Sequence, residues 1–125
     1  MALRLGCVTF DCESPPAVAA FWSAALDRPV DDGASEFFAS IGRSGADGVV
    51  WMFVRVPEPK TVKNRMHVDV GSDDREADVA RLVGLGATRL ADHDAWGAVW
   101  TVMADPEGNE FCVGERPAEV AAAEA

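Results

Sequence analysis

The fold follows from the segment His67-Val68-Asp69-Val70-Gly71-Ser72, which repeats a pattern found sixty positions earlier in Cys7-Val8-Thr9-Phe10-Asp11-Cys12. Each segment alternates like a strand and runs into a helix-like segment. The same shift of sixty lays Trp51-Met52-Phe53-Val54 over Phe111-Cys112-Val113-Gly114. The sequence therefore predicts two copies of one structural module, in which equivalent positions can be compared.

The first module is expected to begin with a strand over residues 4–11 and to continue into a helix. Ser14 can cap that helix, and Pro15 and Pro16 fall in its first turn, where a missing N–H costs little. Pro29 is expected to end the helix. Two more strands are predicted over residues 35–42 and 49–56, separated by a turn at residues 45–48.

The second module is expected to have the same order of elements. Residues 65–70 alternate like a strand, and Asp73 and Asp74 offer an N-cap for a helix that ends near Gly84 and Gly86. The remaining strand candidates are residues 87–91, 97–103 and 110–114, with a dense turn signal at residues 105–109. His93 lies between the first two of these and is predicted to occupy a solvated turn.

Neither module would be stable alone, because a small sheet with one helix buries too little apolar area. We therefore expect one α+β domain over residues 1–116, in which two βαβββ modules form a curved mixed sheet around a central cleft. The modules cover about residues 3–56 and 65–115. The proline-containing segment 57–64 is the predicted hinge, and residues 117–125 are a predicted tail.

The composition excludes several classes of protein. A net charge of −10 argues against a nucleic-acid partner, because phosphate binding needs clustered Lys and Arg. No run of 18 apolar residues is present, so no membrane span is expected, and a cytoplasmic location is the default. Three cysteines without metal-clip spacing favour reduced thiols over a disulfide framework.

Three motifs carry a resemblance to a known family. They are Asn64-Arg65-Met66-His67-Val68-Asp69, Ala80-Arg81-Leu82-Val83-Gly84-Leu85-Gly86-Ala87 and Asp105-Pro106-Glu107-Gly108-Asn109-Glu110-Phe111. On these motifs the chain resembles the vicinal oxygen chelate superfamily, which includes glyoxalase I, bleomycin-resistance proteins, fosfomycin-resistance enzymes and extradiol dioxygenases. The chain is most similar to the small bacterial glyoxalase-like proteins. The resemblance covers residues 3–115 and implies the cleft-forming fold and a homodimer.

The resemblance also implies a set of metal ligands. Family members that use a metal draw its ligands from positions that correspond here to Cys7, Val50, His67 and Glu110. Val50 cannot coordinate, so a mechanism that needs four protein ligands is not expected. The implied set is therefore Cys7, His67 and Glu110, which leaves open either a divalent ion (Zn, Fe, Mn or Ni) or no ion.

Each of these residues also has a simpler interpretation. His67 is a metal ligand or general acid/base, or it is a hydrogen-bonded histidine that lines the cleft. Glu110 needs a partner if it is buried, and that partner is a metal or Arg65. Without a metal, a desolvated Glu110 would suit proton transfer. Cys7 is more often a small core residue than a ligand or nucleophile.

The aromatic residues divide in a similar way. Trp22, on the apolar stripe of the helix, and Trp51, on the helix-facing side of its strand, are predicted to belong to the core. Trp96 and Trp100 are better candidates for a ligand wall, although core packing is equally compatible with their pattern.

The predicted function is that of a glyoxalase-like protein that binds a small organic molecule in its cleft. It would act as a metal-assisted lyase, isomerase or dioxygenase, with His67 and Glu110 as catalytic residues, or alternatively as a metal-free binding protein of the bleomycin-resistance type. The predicted substrate-binding residues are Cys7, Thr9, Met52, Arg65, Asp69, Trp100 and Cys112.

Overall fold

The computed structural model describes residue 3, residues 5–43, residue 45 and residues 48–115. The chain divides into two compact units, Met1–Thr61 and Val62–Ala125. The elements in chain order are β1 Cys7–Cys12, α1 Pro15–Leu26, β2 Phe38–Ile41, β3 Val50–Arg55, β4 Val68–Ser72, α2 Arg75–Gly84, β5 Thr88–Ala95, β6 Ala98–Ala104 and β7 Glu110–Glu115.

The first unit is a three-stranded sheet of order β1-β3-β2, with β1 parallel to β3 and β2 antiparallel to it. The Ser14 hydroxyl accepts a hydrogen bond from the Ala17 N–H at 3.4 Å and caps α1, whose first residues are prolines as predicted. The helix ends at Leu26 because Asp27 adopts a left-handed conformation with φ of 54°. Asp27, and not Pro29, therefore terminates the helix.

The core of the first unit lies between α1 and one face of its sheet. Trp22 is 1% exposed and lies 5.8 Å from Phe10 and 4.9 Å from Trp51, measured between ring centroids. Phe10 also lies 5.4 Å from Phe53, which is fully buried. The prediction that Trp22 belongs to the core, and that Trp51 lies on the side of the sheet that faces the helix, is therefore confirmed.

The middle of the first unit has less strand than the sequence predicts. β2 covers only Phe38–Ile41, and Val30 makes a single bridge to Ile41 in place of a further strand. Asp31 organises this region, because its carboxylate accepts hydrogen bonds from Ser40 Oγ at 2.7 Å and from the Arg43 N–H at 2.9 Å. Burial alone would raise the pKa of Asp31, but these hydrogen bonds hold it below its ordinary value.

The second unit is a four-stranded sheet of order β4-β7-β6-β5. The Asp74 carboxylate accepts from the Ala77 N–H at 3.2 Å and caps α2. Val79 and Leu82 are the buried residues of α2, which packs on β5, β6 and β7. The helix ends at Gly84, near the position predicted. Together the two units make a mixed α+β fold, as expected.

The two parallel strand pairs have the same register. In the first unit Val8 pairs with Trp51, and in the second Val68 pairs with Phe111. Each partner is shifted by sixty positions from its equivalent. The internal repeat predicted from the sequence is therefore confirmed in the hydrogen-bonded pairing.

The hairpin between β5 and β6 differs from the prediction. His93 lies inside β5, directly opposite Trp100, so its placement in a turn was wrong. The turn consists instead of Trp96 and Gly97, whose φ angles are 53° and 74°. Positive φ at both central residues is the geometry of a tight two-residue hairpin, which lets β5 continue as far as Ala95.

Some predicted features lie outside the described residues. They are the tail at residues 117–125, the start of the first strand at residue 4 and the centre of the turn at residues 45–48. Within the described part of the chain, no helix is long and apolar enough to cross a membrane.

Candidate functional site

The second unit has one sheet face covered by α2 and one face left open by its own elements. Thr101, Met103, Phe111 and Val113 are all fully or almost fully buried on the α2 side. Since strand side chains alternate, the residues between them point to the open face. One row across that face is formed by Asp69, Cys112, Val102 and Ala91, which are paired in register.

The open face carries a pocket of about 260 Å³. This volume lies below the usual range for sites that take drug-sized ligands, about 300–1,000 Å³, and suits a small molecule. The lining residues all belong to the second unit and are Lys63, His67, Asp69, Trp100, Val102, Glu110 and Cys112.

Three potential metal ligands converge on one side of the pocket. One donor atom each of His67, Asp69 and Cys112 lies within 4.8 Å of the other two. His67 Nδ1 is 3.4 Å from Asp69 Oδ1 and 3.9 Å from Cys112 Sγ. Tetrahedral zinc with ordinary bond lengths would place such N···O and N···S pairs about 3.4 and 3.6 Å apart. The two distances from His67 are therefore close to those that a zinc ion would impose, and the Asp69 and Cys112 donors lie within 4.8 Å of each other.

The Cys112 thiol is buried and strongly perturbed. Burial, together with the charge of Asp69 and a hydrogen bond to it, raises the pKa of Cys112 to about 11, and Lys63 opposes this shift only partly. Without a cation beside it, Cys112 is therefore a neutral thiol at physiological pH. Such a thiol is a poor nucleophile, which argues against a role for Cys112 in nucleophilic catalysis.

Alkylation by iodoacetamide should distinguish the three cysteines of the metal-free protein. We expect Cys7, which is exposed, to react first at pH 8, whereas Cys112 has only about one molecule in a thousand as thiolate at that pH. Labelling of Cys112 should rise about tenfold per pH unit as long as the protein stays folded. Mass spectrometry of tryptic peptides measures both rates, and a Cys7→Ser variant should show almost no labelling at pH 8. Rapid labelling of Cys112 at pH 8 would contradict the raised pKa.

Glu110 begins β7 and also lines the pocket, and its side chain is 14% exposed. Its Oε2 accepts a hydrogen bond from the Asn64 N–H at 2.9 Å and lies 3.5 Å from Lys63 Nζ. The sequence offered a metal or Arg65 as its partner. In the structure its partners are instead Lys63 and Asn64, which immediately precede Arg65. The Lys63 ammonium group and the Asn64 backbone amide orient the Glu110 carboxylate within the pocket.

The loop that precedes Glu110 is built around Asp105, which is 3% exposed. The Asp105 carboxylate accepts hydrogen bonds from the N–H of Glu107 at 2.9 Å and of Asn109 at 3.0 Å. Asn109 Nδ2 donates to both carboxylate oxygens, at 3.2 and 3.1 Å. The Asp-Pro-x-Gly-Asn motif thus has a structural role. Its residues supply the hydrogen-bond donors that the buried Asp105 carboxylate needs, and the resulting loop determines where β7 begins.

The structure distributes the predicted site residues over both units. Five of them, His67, Asp69, Trp100, Glu110 and Cys112, line the pocket. Arg65 is exposed and is not among the lining residues. The other three belong to the first unit, where β1 and β3 pair Cys7 with Val50 and Thr9 with Met52.

Two lining residues were not on the predicted list. Val102 lies directly opposite Cys112 and two residues from Trp100, so strand alternation could have indicated it. Lys63 comes from the irregular segment before β4, where no periodic pattern gives a direction to the side chain.

Comparison with known proteins agrees with this architecture. The family model of the glyoxalase-like domain matches residues 7–114. A glyoxalase/bleomycin resistance protein/dioxygenase family enzyme from Burkholderia phytofirmans PsJN is 18% identical, with a TM-score of 0.72 over 90% of this chain and 98% of that chain. A comparison with curated proteins gave no match.

Two further solved structures share the fold. The fosfomycin resistance protein FosX from Listeria monocytogenes is 11% identical, with a TM-score of 0.73 over 95% of this chain and 98% of that chain. A FosX variant was solved with Mn(II) and 1S,2S-dihydroxypropylphosphonic acid. The bleomycin-binding protein from Streptomyces verticillus, solved with copper(II)-bleomycin, is 16% identical, with a TM-score of 0.63 over 94% of this chain and 100% of that chain. On the match over residues 7–114, the chain belongs to the glyoxalase-like domain family.

Proposed function

We propose that this protein binds a small organic molecule in the pocket of its second unit and that a zinc ion held by His67, Asp69 and Cys112 takes part. The observation that carries the proposal is the convergence of these three donor atoms within 4.8 Å at the wall of the pocket. FosX and the bleomycin-binding protein support the binding of small molecules, because both were solved with one.

The chemistry of the donors favours zinc over the other divalent ions that the resemblance implied. Thiolate and imidazole are ligands that zinc prefers, whereas manganese prefers oxygen donors. Three protein ligands leave a fourth position open, which is the arrangement of catalytic zinc sites. When bound there, zinc would act as a Lewis acid toward an oxygen of the organic molecule.

The other residues of the pocket would hold and orient that molecule. Lys63 and the Asn64 amide orient the Glu110 carboxylate in the pocket, where it would act as an acceptor for a ligand hydroxyl or a proton. Trp100 and Val102 supply the apolar wall. We assign the chemistry, a lyase or isomerase reaction, to His67 and Glu110 as catalytic residues. The dioxygenase reaction that the resemblance also implied would need a redox-active ion such as iron in place of zinc.

The metal-free alternative also has an observation in its favour. The pKa of Cys112 is raised to about 11, so an ion must displace a proton from the thiol, and this lowers its apparent affinity at neutral pH. If that cost exceeds the gain from coordination, the same pocket serves as a metal-free binding site of the bleomycin-resistance type.

A zinc titration with single variants tests the proposal. It distinguishes the proposed ligands, His67, Asp69 and Cys112, from the set that the family resemblance implies, Cys7, His67 and Glu110. We expect His67→Ala, Asp69→Asn and Cys112→Ala each to weaken zinc binding by at least about a hundredfold, because loss of even an outer-shell partner costs 10–100-fold. Cys7→Ala should bind zinc like the wild type, measured by competition with a chromogenic chelator.

The opposite pattern would contradict the proposed site. If Cys7→Ala and Glu110→Gln lose the ion while Asp69→Asn and Cys112→Ala keep it, the set implied by the family resemblance holds the metal. If no variant differs from a wild type that binds no zinc, the metal-free alternative is correct. The homodimer and the cytoplasmic location remain predictions, and sedimentation velocity would test the first.

A further inference from the structure

An aromatic platform lies beside the pocket on the open face of the second unit. We define it by three residues: His93, Trp96 and Trp100. The His93 ring stacks on Trp100 with centroids 5.1 Å apart and an interplanar angle of 19°. Trp96 is nearly parallel to Trp100 as well, at 6.1 Å and 12°. Three almost parallel rings therefore stand on one exposed surface, and the central ring lines the pocket.

Packing within the protein does not explain this platform. Trp96 is 93% exposed, so its indole gains little from burial. It also has a φ of 53°, a left-handed conformation that bulky residues rarely adopt and that Asn or Gly would occupy at lower cost in such a turn. An exposed indole at a strained position, next to a pocket, is the kind of outlier that points to a use.

The row of residues through Trp100 contains a gap. In register across the sheet, His93 lies opposite Trp100 on one side and Gly114 lies opposite it on the other, followed by Gly71 on β4. No described heavy atom beyond its chain neighbours lies within 4 Å of the position that a Cβ would take at Gly114. Trp100 thus leans toward His93 and does not cover the glycine beside it.

From this gap we infer that the pocket takes a planar aromatic molecule of one or two rings. The molecule would extend past the lining residue Trp100 to lie over the neighbouring Gly114, and it would continue the stack of His93 and Trp100. The ring would fill the place of the cross-strand side chain that Gly114 lacks, at the spacing of about 5 Å that directly opposed residues have. The polar part of the molecule would then extend along the sheet to the next row, where Asp69 and Cys112 lie.

The size and chemistry of the site identify this occupant over a second protein chain. A pocket of about 260 Å³ holds a one- or two-ring molecule with a polar group. Its walls combine a flat aromatic surface with hydrogen-bonding groups at one end, Lys63, His67 and Glu110. This inference rests on the proposed function, since it names the class of molecule that the same pocket binds.

Calorimetric titration with 2-naphthol and with its saturated analogue decahydro-2-naphthol tests the inference. Both are neutral alcohols of similar size, but only the first is flat. We expect 2-naphthol to bind at least about tenfold more tightly than the saturated compound, because a stacked aromatic pair adds to simple apolar burial. Trp100→Leu, which keeps an apolar side chain, should remove this preference.

Gly114→Val is the sharper variant, because it fills the gap and leaves every pocket-lining residue in place. It should weaken 2-naphthol binding at least tenfold while its zinc affinity stays at the wild-type value, which also shows that the unit has folded. Equal binding of the flat and saturated compounds, or full binding by Gly114→Val, would overturn the inference. So would a wild-type dimer that binds no 2-naphthol and is dissociated by Gly114→Val, since a second copy would then cover the platform.

Failure of the inference can be told apart from failure of the proposed function. If the protein binds zinc but shows no preference for 2-naphthol, the inference of an aromatic ligand is wrong and the proposed metal site is unaffected. If the protein binds no zinc but prefers 2-naphthol, and the preference depends on Trp100 and Gly114, the inference is supported and the proposed metal site is wrong.

Discussion

Trp22→Ala should lower the free energy of unfolding of the first unit by about 3–5 kcal/mol, the usual cost of truncating a buried tryptophan. Trp22 is 1% exposed and contacts three aromatic rings, those of Phe10, Phe21 and Trp51. Since small domains are stable by only about 5–15 kcal/mol, this one change should remove much of the stability.

Trp96→Ala is the matched control, because the same side chain is deleted at a position that is 93% exposed. Its free energy of unfolding should stay within about 0.5 kcal/mol of the wild type, as for most surface substitutions. Urea denaturation followed by far-UV circular dichroism measures both variants. Equal destabilisation by the two changes would mean that the packing of Trp22 contributes far less than its burial indicates.

The second large effect is expected from Asp105→Ala, which should cost about 3 kcal/mol. The change removes the acceptor for the N–H groups of Glu107 and Asn109 and for Asn109 Nδ2, in a loop where Asp105 is buried. Hydrogen bonds to a charged group contribute about 1.5–3 kcal/mol each, and donors left unsatisfied add to the loss. Because β7 begins at the end of this loop, we also expect weaker ligand binding at Glu110.

Asp105→Asn separates the geometry of the acceptor from its charge. In this variant the amide oxygen still accepts hydrogen bonds from the N–H groups of Glu107 and Asn109. In the wild type, Asn109 Nδ2 donates to Asp105 Oδ2. The NH₂ group of the variant replaces that oxygen, so two donors would face each other. The loss should therefore be smaller than for alanine, about 1–2 kcal/mol. Equilibrium urea unfolding ranks the two variants, and an alanine variant as stable as the wild type would contradict this account of the motif.

The predictions that were confirmed rest on sequence periodicity, in helices, strands and the sixty-residue repeat, and on helix-capping residues. Helical periodicity placed Trp22 in the core, and strand alternation placed Trp51 on the helix-facing side of its sheet. The sixty-residue repeat predicted from the sequence recurs in the register of both parallel pairs. Caps at Ser14 and Asp74 were found where the sequence placed them. The caps and the alternation are local, so the sequence around each of them is sufficient to specify it.

The predictions that were wrong concern the ends of helices and strands, which are set here by residues with a positive φ angle. Asp27 ends α1 before Pro29 because it adopts a left-handed conformation, and nothing in its neighbourhood required that. His93 was assigned to a turn because acidic residues flank it, although cross-strand stacking on Trp100 keeps it in β5. In both cases the competing signal, proline or charge, was real but was overridden by the surrounding structure.

The candidate site shows the same division. From the repeat alone, His67 and Glu110 could be recognised as candidate site residues, and both line the pocket of the second unit, because strand alternation has a period of two and is the same in both copies. Tertiary structure alone decided which groups touch. The β4–β7 pairing places Asp69 opposite Cys112 and next to His67, and the irregular segment before β4 delivers Lys63 and the Asn64 amide to Glu110. A period fixes the direction of a side chain along one strand, whereas a distance between two strands depends on how the whole unit packs.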